Sequence, residues 1–140
     1  MGGPQVSGIL MDTHCAVWLM EGSRRMGPRA RDTAEQAGHD DRLFVSAITF
    51  WEVAMLSVRG KITLHHPVAE WRHRVLDLGI VEAPVSGDIG IAAVGLPDFP
   101  LDPADRMITA TALLCGLDLM TADSGILGWP GVLERHDARA

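Results

Sequence analysis

The sequence predicts an α/β fold, a three-layer α/β/α sandwich around a mainly parallel sheet. Short apolar runs of strand length, GILMD, LFVS, IVEAPVS and LDLMTAD, alternate along the chain with longer helix-length segments. These runs are apolar throughout instead of at every second position, as expected of strands covered on both faces. Helix punctuation recurs between them, with Pro or Ser at the starts and Gly at the stops.

In order, GILMD (8–12) reads as a buried strand closing on an acid, and CAVWLM continues as a turn or two of helix. GSRRMGPRARDTAEQAG places Pro28 at a helix start and Gly38 at its stop, with the arginines on the polar side. LFVS (43–46) is a second strand, and Ser46 is a natural N-cap for AITFWEVAMLSVRG, which ends at Gly60. HHPVAEWRHRVLDLG repeats the pattern of a Pro start and a Gly stop. IVEAPVS then supplies a third strand and SGDIGIAAVGL a short helix. DPADRMITATALLCG is a long helix with Asp102 as N-cap and Pro103 at its first position. LDLMTAD is the fourth strand and VLERH a last edge strand.

A chain of 140 residues is one ordinary domain, large enough for a real core. Residues 1–7 read as a flexible extension, 8–135 as a single domain and 136–140 as a tail; no repeat or linker divides them. The hydrophobic fraction is 47%, yet no apolar run approaches the roughly 18 residues needed to cross a bilayer. The opening MGGPQVSG lacks a basic flank followed by an apolar stretch, so a cytoplasmic location is expected. Cys15 and Cys115 lack metal-site or disulfide spacing and are expected to be buried thiols. The net charge of −6 argues against nucleic-acid binding through an overall positive field. It leaves room for local basic patches, of which Arg24, Arg25, Arg29 and Arg31, then Arg72 and Arg74, are candidates for phosphate contact.

Right-handed crossovers send all strands of such a sheet the same way, and sites form beyond their carboxyl ends. Asp12 ends the first strand, Glu52 lies in the second turn of the helix after the second strand, Asp105 is in the first turn of its helix, and Asp123 follows the fourth strand. All four map to one edge. Glu52 has no cation three or four residues away, only Ile48, Thr49, Met55 and Leu56, and its helix side also offers Trp51 and Met55 to the core, so it is expected to be partly buried. Singly, each acid has a structural reading: Asp102 and Asp105 as cap and helix-start charge, Asp12 and Asp123 as turn residues. Jointly, carboxylates within about 4 to 6 Å repel by about 3 to 4 kcal/mol per pair at an effective dielectric near 20. A hard divalent cation compensates. All-oxygen ligation suits Mg2+ or Mn2+, ions that activate water and stabilise charge in phosphate chemistry.

Other chemistries fit less well. Cys15 and His14 are adjacent on a helix, where side chains diverge by about 100°, so they do not form a nucleophile–base pair. His65 and His66 precede a proline and have no third ligand for zinc. No G-x-G-x-x-G or phosphate-binding P-loop opens any helix.

MDTHCAVWL, SAITFWEVA, DPADRMITATAL and MTAD, in this order, resemble the motifs of PIN-domain proteins, specifically the VapC-type ribonuclease toxins of bacterial toxin–antitoxin pairs. The resemblance spans residues from about 8 to 135. It implies that Asp12, Glu52, Asp105 and Asp123 form an acidic Mg2+ or Mn2+ site and that RNA is the substrate. It also implies an antitoxin and a second copy of the chain as partners. Asp102 is an extra acid whose role the match leaves open. The expected activity is metal-dependent endoribonuclease; the alternative is a PIN-like RNA- or protein-binding module without catalysis.

Overall fold

A computed structural model describes residues 6–140; of the expected extension 1–7, residues 1–5 lie outside the described residues. Five strands form one sheet in the order β3-β2-β1-β4-β5, every neighbouring pair parallel. They are β1 (Ile9–Met11), β2 (Leu43–Ser46), β3 (Val81–Ala83), β4 (Asp118–Thr121) and β5 (Arg135–Asp137). The helices are α1 (Thr13–Glu21), α2 (Pro28–His39), α3 (Ala47–Val58), α4 (Val68–Asp77), α5 (Gly87–Val94), α6 (Pro103–Cys115) and the short α7 (Ser124–Leu127).

Side chains alternate between the two faces of each strand, and the core divides accordingly. Ile9, Met11, Leu43, Val45 and Met120 pack with α1, α2 and α4 on one face. Leu10, Leu119 and Phe44 pack with α6, α7 and the Leu96–Phe99 segment on the other. α5 lies outside α6, joined to it through Ile89, Ala93 and Ala110. The three-layer sandwich is therefore the observed architecture.

Expected caps appear where side-chain oxygens can reach unpaired helix N–H groups. Ser46 Oγ accepts from Ile48 N at 3.1 Å and Asp102 Oδ1 from Asp105 N at 2.9 Å. α1 ends at Gly22 and α6 at Gly116, both left-handed, with φ of 64° and 66°.

Other expectations need correction. IVEAPVS shrinks to the three-residue β3, an edge strand on which Val81 is 41% exposed. The last strand falls on Arg135–Asp137, later than VLERH, and its polar residues suit an uncovered edge. Trp51 is 55% exposed and does not enter the core. α3 is apolar around most of its circumference, so its sequence alone does not distinguish the core face. Cys115, at the last position of α6, is exposed, whereas Cys15 is buried as expected.

Candidate active site

The sheet order places the topological switch at β1. The chain leaves β1 for β2 and β3 on one side and later returns to β4 and β5 on the other. A crevice is expected beyond the carboxyl ends of β1 and β4, and two acids stand there. Asp12 follows β1 and caps α1, its Oδ1 accepting from Cys15 N at 2.9 Å. Asp123 follows β4 and caps α7, its Oδ1 accepting from Ile126 N at 3.0 Å. Thr121 ties them together, donating from Oγ1 to Asp12 Oδ2 at 2.5 Å and accepting from Asp123 N at 3.0 Å. α3 starts at this same edge and brings half-buried Glu52. α6 runs back against β4, so its first turn also lies here, with Asp105 half-buried and Asp102 exposed.

One cleft of about 410 Å3 is lined by all five carboxylates, with His14, Trp18, Arg25 and Arg139 among its other walls. The four acids expected to converge thus share one space, and Asp102 joins them. Asp105 is the electrostatic centre. Burial, followed by the charges of Asp102, Asp12, Glu52 and Asp123, pushes its carboxyl up to about 8. Asp12 is only 5% exposed; burial pushes its carboxyl up, opposed by the Thr121 and Cys15 hydrogen bonds. Burial, helped by the charge of Asp12, also drives the Cys15 thiol well up, which removes it as a nucleophile at neutral pH. Sequence reasoning missed Thr121, Trp18 and Arg139. Only Thr121 carried a signal, as the hydroxyl of MTAD two residues before an acid.

Residues 9–127 match the PIN domain. This chain belongs to the PIN-domain family. Over 116 residues it is 35% identical to Ribonuclease VapC22 of Mycobacterium tuberculosis, spanning 82% of this chain and 86% of that protein. A toxin–antitoxin complex from Klebsiella pneumoniae contains a similar chain, at TM-score 0.61 and 25% identity, covering 94% of this chain and 98% of that one. DNA-bound VapBC from Salmonella typhimurium, at TM-score 0.65 and 17% identity over 94% of this chain and 98% of that one, shares the fold.

The PIN-domain cleft offers oxygen donors of the hard, anionic kind that suits a hard divalent cation. Burial, and then the charges of four neighbouring acids, raise the Asp105 carboxyl, and that crowding of acids fits the same class of ion. Among the described residues, no three acidic, imidazole or thiol side chains are drawn together closely enough to grip an ion as they stand. Among the described residues no helix is long and apolar enough to cross a membrane.

Proposed function

We propose that this PIN domain is a ribonuclease of the VapC type, the toxin of a toxin–antitoxin pair, with Asp12, Glu52, Asp105 and Asp123 as the ligands of Mg2+ or Mn2+. The observation that carries the reading is the shared cleft of these acids at the switch point, in a chain similar along most of its length to a ribonuclease. When bound, the cation supplies an activated water and stabilises charge on the phosphoryl oxygens.

The chain's own residues have separable tasks. Asp12 is held by two hydrogen bonds and presents its carboxylate in a fixed position. Burial and the neighbouring acids push the Asp105 carboxyl up to about 8, and a bound cation would bring it down again. Glu52 sits half-buried on α3 with no ion pair among the described residues, available to a ligand. Asp102 holds the start of α6 through its bond to Asp105 N, and so aims Asp105. The antitoxin is assigned as partner on the likeness to the Klebsiella complex. A second copy of the chain is assigned to cover apolar side chains left outside, including Trp51, Ile91, Val94 and Leu114.

Expression of the chain alone should arrest bacterial growth, and co-expression of its antitoxin should restore it. Unimpaired growth at high levels of soluble protein would refute the toxin role. Calorimetric titration with Mn2+ tests the metal site independently: binding by the parent and its loss in Asp105→Asn is the expected pair of results.

A further inference from the structure

We infer that Arg25 and Arg139 form a phosphate clamp on the wall of the acidic cleft, seating one backbone phosphodiester of an RNA strand beside the carboxylates. This rests on the ribonuclease reading and deepens it. Five carboxylates face one space. A divalent cation would offset only part of their charge, and the remainder repels a polyanion, so the substrate needs cationic contacts close by. Apart from His14, the basic residues lining the cleft are these two arginines.

The fold builds them into one place. Gly27 N–H donates to Ala138 O at 2.9 Å and Ala30 N–H to Ala140 O at 3.0 Å, pinning the segment that carries Arg139 beside the one that carries Arg25. The approach is so close that a Cβ on Gly27 would stand 1.9 Å from Ala140 O, so only glycine fits. The Arg139 guanidinium lies 5.7 Å from the Trp18 ring centroid, and its Nη1 donates to Ala122 O at 2.9 Å. Ala122 immediately precedes Asp123, so one donor anchors the guanidinium next to the acids and the rest of the fork is left over. The Arg25 side chain is exposed and has no hydrogen bond or ion pair among the described residues; only its backbone N–H is held, by Ser23 Oγ at 3.2 Å. Several arginines elsewhere are already engaged, Arg72 with Glu82, Arg74 with Glu70, and Arg106 and Arg135 with backbone carbonyls, and Arg24, Arg29 and Arg59 do not line the cleft. A planar guanidinium with free donors matches two phosphate oxygens at once.

The test measures binding of a labelled single-stranded RNA oligomer in EDTA across a salt series, using the full chain with Asp105→Asn as parent so that nothing is cut. Arg25→Gln and Arg139→Gln should each weaken binding about fivefold at 0.1 M salt and lower the log K against log salt slope by about 0.7, or about 1.4 together. Arg139→Lys should recover most of the slope, since a point charge still pairs with phosphate; a purely structural role through Ala122 and Trp18 predicts no such recovery. Arg25→Gln breaks no side-chain bond, so it decides the matter if the Arg139 variants melt early. RNA binding by the parent with an unchanged slope in the double variant overturns the clamp alone. A parent that binds no RNA, together with a wild-type chain that cuts none, overturns the ribonuclease reading beneath it. Unchanged RNA binding with weakened antitoxin binding would assign the pair to protein docking and also overturn the clamp.

Discussion

Thr121 Oγ1 lies 2.5 Å from Asp12 Oδ2, a buried hydroxyl-to-carboxylate bond joining the ends of β4 and β1. The same oxygen accepts the Asp123 N–H, so one side chain sets the positions of two acids from different strands. Thr121→Val keeps the shape and removes both bonds. With Asp12 left buried and under-satisfied, the expected loss is about 1 to 3 kcal/mol. A fall in Tm of several degrees should accompany weaker RNA cleavage, and Thr121→Ser should recover both. A variant that melts and cuts like the wild type would place Thr121 outside the site.

Asp102 and Asp105 should separate cleanly. Asp102 is exposed and caps α6, so Asp102→Ala should cost about 1 kcal/mol, seen as a Tm lower by a few degrees, with cleavage largely retained at permissive temperature. Asp105→Asn should abolish cleavage while leaving metal-free stability about equal in acid and higher as pH rises to about 8 and beyond, where the wild-type carboxyl would ionise among the other acids. The inverse pattern would move the site to Asp102.

Stability should carry the titration of Asp105. Its carboxyl ordinarily titrates near 3.8 and here near 8, so between those values the native state holds a proton that the unfolded chain has released. The native state then binds more protons, and stability falls as pH rises. Its stabilising contribution is fully present below about 3.8 and lost by the time pH passes about 8. Urea unfolding of the metal-free protein between roughly pH 5 and pH 9, conditions that run through the upper end of that window, should show the decline, and Asp105→Asn should flatten it. Asp12, raised by burial, adds in the same direction. A stability that climbs with pH in the wild type would contradict the placement of Asp105.

Glu52 offers a test in which fold and chemistry part. It is half-buried on α3 and supports no neighbour through a hydrogen bond among the described residues. Glu52→Gln should leave stability within about 0.5 kcal/mol of wild type. Metal-stimulated cleavage should disappear. Full activity at saturating Mn2+ would make Glu52 a structural residue.

The legible parts of this fold were those set by local chemistry. Ser46 and Asp102 cap helices because a short polar side chain there reaches an unpaired N–H, and each can be read from its neighbours. Parallel strands with helix crossovers send their carboxyl ends to one edge, so the sequence alone puts Asp12, Glu52, Asp105 and Asp123 together at the edge where the cleft lies. The rest depended on contacts between distant segments. Nothing in MTAD states that its threonine meets an aspartate 109 residues away. Nor does ARA at the end of the chain announce that Arg139 is carried to Trp18 by bonds to the start of α2. Trp51 was misplaced for a related reason: on a helix apolar nearly all round, only packing partners decide which side is buried.

The most direct test of the central claim is cleavage of a mixed RNA by the purified chain in Mg2+, in Mn2+ and in EDTA, with Asp105→Asn beside it. The carboxylate cleft predicts cutting with either ion, none in EDTA, restoration when the ion is returned, and none by Asp105→Asn under any condition. RNA cleavage that persists in EDTA, or that survives Asp105→Asn, would contradict it, as would clean RNA binding with no cutting in any of the three.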